Sequence, residues 1–444
     1  RAHCYGRVMP SADDEVARSR TRHLVRRIAV DVSPLRASHD FRRLWFGWLA
    51  SHFGYHFTVV ATFVQVWRLT GSSAAVGAIG LVGLLGIVVG VLGGGAFIDA
   101  YDRRRILIWA QAGFIAATAT LFLATLLGPA PLALIYVASG TIAGLSAINS
   151  SVLNAMTPTL VGAELLPSAL TLNQVQFQST GLVGPALAGV AIDTVGLEIA
   201  YAIDLLCCIG MLLAVLGTSR ALPRGDVDAI RGFAAIREGF SFVRGRRVIQ
   251  AAFGMDLVAM IFGMPRALFP VLAVSRFGGG ALVVGLLFSA PAVGALLAGL
   301  TGGWMKHVRR QGIAVTLAVV VWGFGITLFG LAGSNLVLAV VCLAIAGGAD
   351  VVSAVFRHTI LQLSTPDHLR GRLSGINFLV VAGGPRLGDL EAGLVAAAFS
   401  PYVSVVSGGL ACIGAAGILA ALVPALRRYE SPTAPLPEDA ASGY

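Results

Sequence analysis

Apolar residues in this chain gather into runs of about twenty or more, broken by short polar gaps, and the runs carry no two-residue alternation. A hydrocarbon core of about 30 Å takes about 20 helical residues. The pattern therefore predicts twelve membrane-crossing helices, near 41–68, 73–98, 105–127, 131–156, 165–193, 198–219, 248–275, 281–304, 312–332, 335–357, 371–399 and 402–426. Glycine and proline inside the runs do not argue against helix, because neighbouring helices satisfy freed backbone groups and small residues allow close packing. The missing alternation rules out a transmembrane β-barrel.

Charge gives the runs a direction. Of the 32 basic residues, 28 fall in gaps on one alternating side: Arg1 to Arg43, Arg103 to Arg105, Arg220 to Arg247, Lys306 to Arg310, Arg357 to Arg372, and Arg427 with Arg428. The other side receives Arg68 and Arg276, while Arg266 and Arg386 lie within spans. The positive-inside rule then predicts that both termini are cytoplasmic. No apolar run precedes Phe41, so the first span is expected to direct insertion without a cleavable leader, and Met9 is a candidate start residue.

Composition narrows the function classes. With 56% hydrophobic and 12% charged residues, and 55 glycines, the chain is outside the range of a soluble globular protein. The isoelectric point near 9.9 follows from topology, so nucleic acid is not an expected partner, whereas anionic inner-leaflet lipid is, opposite Arg18 to Arg27 and Arg244, Arg246 and Arg247. Cys207, Cys208, Cys342 and Cys412 lie in spans and Cys4 in the tail, with neither a disulfide framework nor metal-ligand spacing. The only lysine, Lys306, precedes His307, so no phosphate-cradling Walker loop exists. No loop is long enough for a soluble catalytic domain, and neither an enzyme nor an ATP-driven pump is expected.

Landmarks recur along the chain. Gly95 and Gly302 end glycine-rich runs 207 residues apart, Thr157-Pro158 returns as Thr365-Pro366 after 208, Gly184-Pro185 as Gly384-Pro385 after 200, and Arg42-Arg43 as Arg246-Arg247 after 204. Near-constant offsets predict two parallel six-helix halves with a site at their interface, the arrangement of a transporter. The expected division is a basic tail over 1–40, halves over 41–220 and 248–428, a linker over 221–247 and a tail over 429–444. In the linker Phe233, Ile236, Phe240 and Val243 follow helical spacing, which predicts an amphipathic helix on the inner leaflet.

The gap after the second run reads Gly95-Ala96-Phe97-Ile98-Asp99-Ala100-Tyr101-Asp102-Arg103-Arg104-Arg105. It resembles the signature loop of the major facilitator superfamily at Gly95, Asp99, Arg103 and Arg104, and departs from it at Ala100 and Asp102. The resemblance implies a twelve-helix all-α fold in two pseudo-symmetric halves and a conformational latch in this loop. Gly302, Lys306 and Arg310 repeat the spacing in the second half without the acid. Gly181, Gly184, Pro185 and Gly189 resemble, loosely, the antiporter motif of exporters in that superfamily, and small residues beside a proline also suit plain close packing. Phe41-Arg42-Arg43-Leu44-Trp45, Leu69-Thr70-Gly71-Ser72, Pro265 to Pro270 and Leu361 to Pro366 with Gly371-Arg372 look like the enterobactin exporter branch. That likeness implies a monomeric exporter of a siderophore-like or amphipathic small molecule, with multidrug or macrolide efflux as the alternative, driven by the proton gradient and using no cofactor or metal.

Ionisable groups inside spans are costly and mark function by default. His52 and His56 share one helix face beside Tyr55 and suit either a proton switch or a polar lining. Asp204, Asp256 and Asp350 are isolated acids, and Asp256 is the favoured proton carrier because apolar surroundings favour a neutral carboxyl. Asp350 has a salt bridge to Arg357 as its alternative role. Arg386 is expected to pair with Asp389 and Glu391 along its own helix. Arg266 has no acid on its own helix and is expected either to snorkel or to attract an anionic cargo. Asn149, Asn173 and Gln176, with Gln174 and Gln178, complete the polar groups expected to line a cavity or bond between helices.

Overall fold

The structure, a computed structural model, describes residues 31–100, 102–219, 240–366 and 369–430, with backbone alone at 94–100 and 370–372. The basic tail, most of the linker with its amphipathic stretch, and the final tail lie outside the described residues.

Twelve membrane-length helical stretches are present among the described residues, and no strand. Spans one to three are His39–Thr70, Ser73–Ala100 and Arg103–Leu127. Spans four and five are the two arms of one long helix, Leu132–Thr194, kinked where Gly162 takes φ 76° between Pro158 and Pro167. Span six is Leu197–Leu216. Span seven is broken: Arg247–Phe262, a 3-10 turn Arg266–Leu268, then Phe269–Ser275. Spans eight to twelve are Ala281–Leu300, Gln311–Leu331, Leu336–Leu363, Arg370–Ala398 and Pro401–Leu422.

Local chemistry sets several ends. Ser38 Oγ accepts from Phe41 N at 3.2 Å to cap span one, which stops at Gly71 in the left-handed region (φ 59°). The break in span seven follows Gly263, where an added Cβ would strike the Trp322 indole and the Ala259 carbonyl, and Pro265 then removes a backbone donor. Span ten runs six residues past its expected end at 357, which moves Arg357 and His358 from a loop into the wall of the bundle. Arg357 is 8% exposed and is no topogenic loop charge.

Packing repeats between the halves. Span two packs on four and span three on six, and their counterparts eight on ten and nine on twelve do the same. The halves meet along two seams that the repeat interchanges, spans two with eleven and spans five with eight. This is the arrangement expected from the duplicated landmarks. Polar groups lie between helices and large apolar side chains such as Leu127, Val137 and Leu300 face outward, as a lipid-facing surface requires.

Candidate functional site

A cavity of about 760 Å³ opens toward the arginine-rich face. Span five contributes Gln174, Gln178 and Ser179, span seven Asp256, span ten Arg357 and His358, and span eleven Asn377. Arg357 binds Asp256 across the gap between spans ten and seven and reaches Asp350, two turns back on its own helix, at 3.6 Å. Two carboxylates thus share one guanidinium. A buried arginine with a single partner leaves donors orphaned, and the second acid offsets part of that cost.

Beyond the cavity the halves are closed. On span eleven Arg386 stands five residues past the lining residue Val381, about 7.5 Å along the helix, and donates to Tyr55 Oη of span one at 3.0 Å. The same helix presses on span two, where a Cβ at Gly77 would come within 2.6 Å of the Asp389 carbonyl, and one at Gly393 within 2.6 Å of Ser73 O. In the other seam Gly285 packs on the Pro185 carbonyl, and a Cβ at Gly189 would lie 2.5 Å from Ala281 O and one at Gly181 4.0 Å from the Ala292 side chain. Asp193 at the end of span five accepts from Ala281 N and Leu282 N at 2.8 and 2.7 Å, complementing the positive N-terminus of span eight. Phe63 of span one meets Phe288 of span eight with ring centroids 5.4 Å apart, and Phe288 meets Phe269 at 5.0 Å.

The residues singled out from sequence divide accordingly. Asp256 lines the cavity, and Asp350 joins it through Arg357. Asp204 does not: it is buried among spans one, three and six, accepting from Thr58 and Thr118 with the Cys208 thiol beside it. His52 packs between Trp48 and Phe177, and His56 against Gly184, so both occupy the contact between spans one and five. Arg266 has an acid partner on another helix. Its guanidinium holds the fully buried Asp389 at 2.7 and 3.3 Å across the break in span seven, taking the acid assigned by sequence to Arg386. Arg386 pairs instead with Tyr55. Asn149 bonds to Gln111 at 3.5 Å between spans three and four, and Gln176 is buried two residues from Gln174 and Gln178, about 200° round the helix from both. Gln174 and Gln178 rather than Asn173 and Gln176 therefore present span five to the cavity. In the signature loop Arg103 donates to Ala155 O at 3.0 Å, and Arg104 to Val215 O and Leu216 O at 3.2 and 2.7 Å. These acceptors are backbone carbonyls of spans four and six, in the same half as the loop. Gly95 and Asp99 lie in the last turns of span two, and their surroundings fall outside the described side chains.

Sequence reasoning offered the Asp350–Arg357 salt bridge, which is present, but missed the bond from Arg357 to Asp256, and it missed His358, Asn377 and Asp193 as site and seam residues. The bridge was legible because Asp350 lies seven residues from Arg357 on the same helical face; the other residues gave no signal.

Comparison with known proteins agrees with this geometry. The family model described as transmembrane secretion effector matches residues 29–441. Enterobactin exporter EntS of Citrobacter koseri is 27% identical over 415 residues, covering 93% of this chain and 98% of that protein. EntS of Shigella boydii is 27% identical over 404 residues, covering 90% and 95%. Among solved structures, a POT family transporter in complex with 5-aminolevulinic acid aligns with a TM-score of 0.70 at 12% identity, covering 88% of this chain and 97% of that one. A bacterial homologue of the iron transporter ferroportin aligns with a TM-score of 0.66 at 14% identity, covering 88% and 99%. Such identities speak for the fold alone. The chain belongs to the transmembrane secretion effector family of the major facilitator superfamily, and is a membrane transporter rather than an enzyme.

Proposed function

We propose that this protein exports a siderophore-like or amphipathic small molecule from the bacterial cytoplasm, coupled to inward proton flow and working by alternating access. The carrying observation is a cavity open on the arginine-rich face with an acid pair and one arginine in its wall. Similarity to the EntS proteins supports a siderophore-like cargo, and the charge rule supports cytoplasmic termini. Asp256 is the proposed proton carrier: protonation would release it from Arg357, which then rests on Asp350. His52 and His56 remain candidates for a proton response at the contact of spans one and five. The loop at Asp99, Arg103 and Arg104 is the proposed latch, bracing spans three, four and six as one body, and the glycine-proline stretch of span five is the proposed bearing against span eight. The proposed division into halves at 41–220 and 248–428 follows the repeat.

Multidrug efflux is the second reading, favoured by the charge balance of the wall: two carboxylates against one guanidinium suit a neutral or cationic cargo. A deletion strain separates the two. Loss of catecholate siderophore from the medium with unchanged drug susceptibility supports the first, and the reverse supports the second. Flux into proteoliposomes that ignores an imposed pH gradient would overturn the coupling.

A further inference from the structure

Three phenylalanines pack across the closed side of the molecule, and a second crevice lies just outside them. Phe63 of span one, Phe288 of span eight and Phe269 of span seven form a chain of edge-to-face rings. The same three helices then line a cavity of about 240 Å³, with Val64, Trp67 and Arg68 from span one, Pro270 and Val274 from span seven and Val284 from span eight. Trp67 stands one turn, about 6 Å, outward of Phe63, and Val284 one turn outward of Phe288. The crevice is therefore shared by the two halves, on the side away from the arginine-rich face and directly behind the rings.

Its chemistry is selective. Trp67 is half-buried against the apolar core, which fixes its ring as a wall. Arg68 is exposed, and its guanidinium has no hydrogen bond or ion pair among the described residues. None of the lining residues is acidic. Asp193 stands beside the lining residue Gly280, but its carboxylate is taken by Ala281 N and Leu282 N. Pockets for drug-sized ligands run from about 300 to 1,000 Å³, so this one admits a single ring with its substituents and not a whole cargo. An indole, an aliphatic floor and a guanidinium without a partner suit a ring that carries anionic oxygen, held by charge-assisted hydrogen bonds. The inner cavity has the opposite balance, with Asp256 and Asp350 against Arg357. A basic residue in the last turn of a helix also complements the carbonyl ends, but that role makes no demand for a crevice between the halves.

We propose that this crevice is an exit site that takes one aromatic, anionic arm of the cargo, such as a catecholate or benzoate ring, once the phenylalanines part. The outward direction and the cargo rest on the export reading; binding of the ring at Trp67 and Arg68 does not.

Fluorine NMR of the full chain in nanodiscs, with its six tryptophans replaced by 5-fluorotryptophan, tests the site, and Trp67→Phe identifies the Trp67 signal. Added 2,3-dihydroxybenzoate should shift that signal saturably. Arg68→Gln should weaken the binding about tenfold or more, Arg68→Lys less, and neutral catechol should bind the parent at least about tenfold more weakly than the benzoate. A Trp67 signal that ignores the benzoate, or responds equally in Arg68→Gln, overturns the proposal and leaves Arg68 as a membrane-surface anchor. The remaining tryptophan signals, at their parental positions, show that each variant is folded. Secretion of catecholate siderophore should fall several-fold in Arg68→Gln, and secretion at the parent rate overturns the exit role. A parent that secretes no catecholate defeats the cargo reading alone, and the fluorine titration then decides the site.

Discussion

Tyr55→Phe removes one oxygen and is expected to loosen the closed side of the molecule. The Tyr55 hydroxyl accepts from Arg386 at 3.0 Å and joins span one of the first half to span eleven of the second. A hydrogen bond to a charged group contributes about 1.5–3 kcal/mol. This one exists with the seam between spans two and eleven closed, and separation of the halves on that side would break it, so its loss destabilises only the closed form. At about 1.4 kcal/mol per tenfold, the ratio of open to closed molecules should rise roughly ten- to hundredfold. Spin labels at Ser72→Cys and Phe399→Cys, at the outer ends of spans two and eleven, read that ratio by pulsed electron resonance. The expected result is a second, longer distance in the Tyr55→Phe variant that is weak or missing in the parent. Distance distributions that differ by less than about threefold in population, below about 0.7 kcal/mol, would refute the assignment of this bond to the closure.

Asp256→Asn should leave folding intact, since Arg357 keeps Asp350, but abolish the response of transport to a pH gradient; gradient-driven flux at the parent rate refutes its role. Arg266→Met should cost about 3–5 kcal/mol because the buried Asp389 loses its ion pair, and adding Asp389→Leu should recover part of that loss, read as melting temperatures in detergent. Gly285→Val should cost about 1–3 kcal/mol by forcing spans five and eight apart at Pro185, whereas Gly414→Ala, with open space around its Cβ, should be neutral or slightly stabilising. Hydrogen bonds from Ser33 and Ser168 hold Asp31 below the ordinary carboxylate value of 3.8, so the docking of Ser33–Ala37 is fully present above that pH and lost as pH falls through the lowered value; hydrogen exchange over Ser33–Ala37 that is unchanged by acid refutes this.

The fold was legible in the sequence because the bilayer demands it: run length, basic gaps and the recurring Gly-Pro and Thr-Pro landmarks each report a constraint that acts locally. The site was less legible. Spans that are apolar all round show no preferred face, since lipid and protein interior accept the same side chains. Nothing local told Gln174 from Gln176. Pairings are worse still: Arg266 finds Asp389 123 residues away, and Arg357 crosses from span ten to span seven to reach Asp256. The break at Gly263 was written in the sequence as Gly-Met-Pro, but the indole of Trp322 that makes glycine necessary there came from span nine.

An arginine shared between two acids also has an electrical consequence. With Asp256 and Asp350 both ionised, the wall carries one net negative charge, and a single added proton makes it electroneutral. A membrane voltage pulls on the first form, by about 2.3 kcal/mol per 100 mV if the whole drop is crossed, and ignores the second. In the proposed proton-coupled cycle, the half that carries the unprotonated wall is therefore the one that the cell's voltage accelerates or retards.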